Sequence, residues 1–131
     1  MNGNLCKNIR KRDEIIFGNY DPDIYKGGIR RFEDMSYDTL KQLVDEGFVD
    51  VEEKQNYSPT IQEMMKFSEE YGKNYLFDGY VVSDERDDYR VSIDGFKRNG
   101  DFESFTERND FADFCSEADE LDLDYAYAWW D

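Results

Sequence analysis

The chain has 131 residues, 17% of them aromatic, and a formal charge of −16 from 32 acids against 16 bases. That length fits one domain, 1–131, with a substantial core, and ten Phe, ten Tyr and two Trp carry far more apolar area than a disordered acidic chain. The acidity disfavours direct binding to nucleic acid or to an anionic membrane, where affinity rests on bases that neutralise phosphates.

Chemistry is narrowed further by what is missing. There is no histidine, which removes Ser-His-Asp and Cys-His catalysis, histidine-ligated zinc and a histidine pH switch. Two cysteines, Cys6 and Cys115, are too few for a thiolate zinc site or a disulfide framework. MNGNLCKNIRKRDEIIF contains no apolar run of signal-peptide length, and no later segment approaches a membrane span, so the expected setting is cytoplasmic and reducing.

In chain order, Met1 to Arg12 is polar and basic and reads as a loosely ordered start or a short helix, followed by the apolar run Glu14–Phe17. Tyr20–Arg31 is turn chemistry: Asp21-Pro22 favours a turn and Gly27-Gly28 admits positive φ, so a loop or irregular hairpin is expected here. Ser36 is a good N-cap for a helix over Tyr37–Glu46, with the stripe Leu40, Leu43 and Val44 and with Gly47 as its C′ residue. Ser58-Pro59 reads as cap and first helical position of a second helix, Pro59–Tyr71, with Ile61, Met64, Met65 and Phe67 at helical spacing. At Tyr75 the period changes to two. Tyr75–Ser83 and Tyr89–Phe96 read as an antiparallel hairpin joined by DERDD, with Gly79 and Gly95 marking bulges or close backbone approach. Asn99-Gly100 signals another turn, then a third strand over Phe102–Phe105. Thr106 or Asn109 would cap the next helix, whose stripe is Phe111, Phe114, Cys115 and Ala118.

The last eleven residues, LDLDYAYAWWD, alternate strictly and read as one strand. Its odd face, Leu121 to Trp129, is expected to be buried. The two alanines of its even face, Ala126 and Ala128, would let a helix approach closely. The segregated order of elements predicts a single α+β domain, with about three helices on one face of a mostly antiparallel sheet of about four strands and the C-terminal strand central.

No catalytic residue, metal ligand or cofactor-binding residue emerges. Asp21–Gly27 resembles a calcium loop only loosely, because its glycine falls late and Lys26 intrudes. Gly27–Arg31 lacks the strand–loop–helix setting of a phosphate loop. The basic cluster Lys7, Arg10, Lys11 and Arg12 is most simply paired with the acidic body.

One constellation remains. Residues 109–131 hold eight acids and no base, interleaved with Tyr and Trp. Such a surface attracts a basic partner and speeds its encounter, while aromatics supply the hot spots. The expected partner-binding residues are Asp110, Asp113, Glu117, Asp119, Glu120, Asp122 and Asp124. The expected function is that of a non-enzymatic interaction protein that occludes a basic partner, a nuclease or another nucleic-acid-binding protein, by presenting carboxylates where phosphates would sit. Two other readings are a small-ligand or divalent-cation-binding domain using surface carboxylates, and a housekeeping domain whose acidity only keeps it soluble. Within the constellation, function is expected at Asp119–Asp124 and core packing at the aromatic end.

Overall fold

A computed structural model describes residues 5–131. Among these residues four α-helices, one 3-10 turn (Pro22–Ile24) and five strands form one α+β domain: α1 (Ile9–Phe17), β1 (Ile29–Met35), α2 (Tyr37–Asp45), α3 (Ile61–Glu70), β2 (Tyr75–Val82), β3 (Val91–Arg98), α4 (Phe105–Phe114), β4 (Glu120–Asp122) and β5 (Tyr127–Trp129). The strands make a single antiparallel sheet in the order β1-β2-β3-β5-β4. The C-terminal strand is interior, flanked on both sides, and β3 takes the middle place.

The core lies between this sheet and the helices. Tyr75, Phe77 and Val81 of β2 and Val91, Ile93 and Phe96 of β3 meet Leu40 and Leu43 of α2, Met64 and Phe67 of α3 and Phe111 of α4 in one cluster. Its centre is aromatic. Phe96 stacks on Tyr75 at 4.8 Å, and Phe67 stands edge-on to both rings, the geometry ring quadrupoles favour.

Helix α2 is built as its sequence dictates. The Ser36 hydroxyl accepts the Thr39 N–H, Gly47 takes φ +85°, and the Phe48 N–H reaches back to the Leu43 carbonyl at 2.9 Å while the Phe48 ring is buried. Gly47 supplies the left-handed turn and Phe48 the apolar contact of this helix end.

Several boundaries differ from expectation. Helix α3 starts at Ile61, because Thr60 and Glu63 exchange side-chain and backbone hydrogen bonds in a capping box. This satisfies two orphan N–H groups, whereas Ser58 closes the preceding turn by accepting the Gln55 N–H. Ser104 caps α4, so Phe105 is its first residue and no strand forms over Phe102–Phe105. The N-terminal region is not loose from Ile9 onward; residues 1–4 lie outside the described part. Helix α1 is anchored by a buried polar knot. Arg12 and Asp13 are fully covered, the Arg12 Nε donates to Asp13 at 2.9 Å, Nη1 to the Val82 carbonyl and Nη2 to the Tyr25 hydroxyl. Tyr25 donates in turn to Asp13.

The largest difference is at the C-terminus. LDLDYAYAWWD is a hairpin, with Glu120 opposite Trp129, Leu121 opposite Ala128 and Asp122 opposite Tyr127. The Asp122 carboxylate accepts the N–H groups of Asp124 and Tyr125, and Ala126 adopts φ +51°. An Asx-type turn therefore breaks the run without glycine or proline. The faces are also exchanged: Ala126, Ala128 and Trp130 are buried, while Tyr127 and Trp129 are half-buried on the other side.

Candidate partner-binding face

Two irregularities in the ladders decide what the sheet presents away from its helices. Between β2 and β3 the register shifts at Asp78/Gly79, leaving Asp94 as the extra residue. Between β1 and β2 it shifts between Phe32 and Met35, where Asp34 takes φ +59°. Each bulge lets apolar residues on both of its sides stay in the core while an aspartate leaves it. Gly79 and Gly95 make this possible, as the sequence predicts. A Cβ on Gly79 would lie 1.9 Å from the Ser92 carbonyl oxygen, and one on Gly95 would lie 2.9 Å from the Asp78 Cβ.

The resulting face carries Arg31 and Asp34 from β1, Asp78 and Tyr80 from β2, Ser92, Asp94 and Lys97 from β3, Tyr127 and Trp129 from β5, and Glu120 and Asp122 from β4. The assignment follows from register, since Trp129 pairs with Gly95 and Tyr127 with Lys97, and side chains alternate along each strand. Asp94 accepts both Nη atoms of Arg31 at 3.0 and 3.1 Å. Asp78 accepts the Asp34 N–H at 2.8 Å, and Lys97 bridges Asp34 and Asp78. Burial pushes the Tyr127 hydroxyl pKa up, helped by the charges of Asp78, Asp94 and Glu120 and opposed by Lys97. That set of neighbours places Tyr127 among the carboxylates. One end of the face is roofed by the α2–α3 connection, where Gln55 accepts the Tyr80 hydroxyl and Glu53 accepts the Ser92 hydroxyl.

All seven residues expected to bind a partner are exposed, and none forms an ion pair with a base among the described residues. They do not make one patch by element. Glu120 and Asp122 lie on the helix-free face. Asp124 sits in the β4–β5 turn, and Asp119 accepts the Asp131 N–H at 2.7 Å. Asp110 and Asp113 are three residues apart on the outer side of α4, with Glu117 in the turn beyond it, and Asp110 accepts the Tyr71 hydroxyl. Tyr127 and Trp129, expected in the core, belong instead with the surface acids. Asp34, Asp78 and Asp94 were not expected to join them; the one trace of them in the sequence is the Asp-Gly pair repeated at 78–79 and 94–95.

A second feature adjoins the hairpin. A cleft of about 690 Å³ opens between the start of α4 and the β4–β5 turn, lined by Phe102, Phe105 and Tyr125 and by Asp101, Arg108 and Asp124. Beneath it the buried Glu107 carboxylate accepts the Arg98 Nε at 3.0 Å, the Tyr75 hydroxyl at 2.9 Å and the Glu103 N–H at 2.8 Å. Among the described residues, no three Cys, Asp or Glu side chains are grouped to hold a metal ion, and no helix is long and apolar enough to cross a membrane. Comparison with family models, curated proteins and solved structures returns no match.

Proposed function

We propose that this is a non-enzymatic interaction protein whose helix-free sheet face occludes a basic partner, a nuclease or another nucleic-acid-binding protein. One observation carries the reading: the β4–β5 register sets Glu120, Asp122, Tyr127 and Trp129 on the same side of the sheet as Asp78 and Asp94. Carboxylates steer a basic surface into place, and half-buried Tyr and Trp rings supply contact area at small entropic cost. The aspartates at the centre of the face are already held by Arg31 and Lys97. The charge left for a partner is therefore on the β4 side, at Glu120 and Asp122.

The test is calorimetric titration of the full chain with purified basic nucleases and a neutral control protein, from about 50 mM salt upward, where screening is still modest. A saturable complex is expected that inhibits DNA or RNA cleavage, weakens as salt rises and loses about fivefold in affinity in the E120K variant, which leaves the Asp122 turn intact. If no basic nuclease or nucleic-acid-binding protein binds above the control at the lowest salt, the reading fails.

A further inference from the structure

Phe105 and Tyr125 are 82% and 80% exposed, more than any other large hydrophobic residue among those described. They come from different elements, the first turn of α4 and the β4–β5 turn, yet both line the cleft of about 690 Å³. Scattered exposed aromatics need no explanation, but two that line one concave site mark a binding surface.

The charge around them selects the occupant. Arg98 is fully engaged: Nε goes to Glu107, Nη2 to Glu103 and Nη1 to the Asn99 carbonyl. Asp101 and Asp124 pair with no base among the described residues, and Arg108 is the single cation left beside them. The cleft and its floor thus hold Asp101, Glu103, Glu107 and Asp124 against Arg98 and Arg108, an excess of two negative charges in a chain of net −16.

The walls are fixed before anything binds. Asp122 holds the Asp124 and Tyr125 N–H groups, the Ala126 carbonyl accepts the Arg98 N–H at 2.9 Å, and Ser104 caps α4 against the Glu107 N–H. A preorganised site loses less entropy on binding.

We propose that this cleft receives an arginine side chain of the basic partner, its guanidinium stacked on Phe105 or Tyr125 and hydrogen-bonded to Asp101 or Asp124. A guanidinium is planar and weakly hydrated, lies flat on an aromatic ring and offers a fork of donors to a carboxylate, whereas an ammonium is compact and strongly hydrated. The inference rests on the proposed function and names the residue type that the same partner must present.

The experiment uses the full chain and two probes, acetylated and amidated hexa-arginine and hexa-lysine, followed by backbone amide NMR shifts and by fluorescence anisotropy. Hexa-arginine is expected to bind about fivefold tighter, which is about 1 kcal/mol, with shifts centred on Gly100–Phe105 and Leu123–Ala126. The F105A/Y125A variant should bind both peptides alike at an unchanged melting temperature, because neither ring is part of the core. The E120K variant, which leaves the Asp122 turn intact, should weaken both peptides equally. Equal binding of the two peptides by the wild type, or full arginine selectivity in F105A/Y125A, overturns the proposal. Absence of arginine selectivity in a wild-type chain that still binds a basic nuclease overturns the cleft alone. Arginine-selective cleft binding in a chain that binds no basic protein supports the cleft and overturns the sheet-face reading.

Discussion

Asp94 on β3 holds Arg31 on β1 in a two-pronged ion pair, at 3.0 and 3.1 Å, across the whole width of β2. The Asp94 side chain is 7% exposed and that of Arg31 is 55% exposed, so one partner is buried and the other is open to water. A charge-assisted fork of this kind ties three strands together more tightly than a surface pair does. Removing the arginine strands a buried carboxylate. We therefore predict that Arg31→Ala destabilises by about 1–3 kcal/mol, and that Asp94→Asn costs less because the amide still accepts a hydrogen bond. Urea denaturation of both single variants and the double variant should give a positive coupling energy.

Gly79 and Gly27 make opposite predictions about what glycine is for. At Gly79 an added Cβ meets the Ser92 carbonyl oxygen at 1.9 Å and the Phe32 ring at 2.9 Å, so β2 and β3 must separate. Gly79→Ala should cost roughly 3 kcal/mol and lower the melting temperature by about 10 °C. At Gly27 nothing lies within 4 Å and only φ, at +62°, resists a side chain. Gly27→Ala should cost about 1 kcal/mol. Thermal unfolding followed by circular dichroism separates the two.

Those bulges also explain why the fold was readable from the sequence when the make-up of the helix-free sheet face was not. Ser36, Gly47 and the apolar stripes of α2 and α3 are local signals, and the Tyr75–Arg98 hairpin follows from periodicity. Which side of a strand faces solvent depends on every upstream bulge, because one extra residue exchanges the faces. Alternation in LDLDYAYAWWD is the same for one strand or two, and its turn rests on the Asp122 carboxylate and a left-handed Ala126 rather than on glycine. β1, with sequence IRRFEDM, hid behind its charges, which serve Asp94 and Lys97 across the sheet. α1 hid because Arg12 and Asp13, two of its innermost residues, are charged.

The Glu107 carboxylate makes a pH prediction. Burial alone would raise its pKa, but the Glu103 N–H, Arg98 and the Tyr75 hydroxyl together outweigh burial and hold it below the ordinary value. A group with a depressed folded-state pKa contributes stability above its unfolded pKa and loses it as pH falls through the folded value. The unfolded value for Glu is about 4.3, so this contribution should be flat from pH 7 to about pH 5 and decline below. Glu107→Gln should lower the melting temperature at pH 7 and make its fall below about pH 4.5 shallower than in the wild type. Parallel slopes in the two proteins would show that Glu107 carries no proton linkage.

Thiol reactivity follows from burial. Cys115 is completely covered, and burial pushes its pKa up to about 12, so little thiolate forms near neutral pH and no reagent reaches the sulfur. Cys6 is partly exposed. Titration of the native chain with an aromatic disulfide reagent at pH 8 should modify one thiol quickly and the second only at the rate of unfolding. Denaturant should release both at once.

The C-terminal strand is the sharpest test of the architecture. Trp130 is among the largest fully buried side chains, its backbone N–H reaches the Asp94 carbonyl at 2.9 Å, and Ala128 lies in the same core. Trp130→Ala should cost about 3–5 kcal/mol. Deleting Tyr127–Asp131 does more, because it removes the partner of both β3 and β4 and exposes the aromatic cluster around Phe96. The truncated chain should lose its cooperative urea transition, whereas Tyr125→Ala, two residues upstream in the exposed turn, should unfold like the wild type. A truncated chain that still melts cooperatively near the full-length temperature would mean that β1, β2, β3 and the helices form a self-sufficient core and that the β4–β5 hairpin is an appendage.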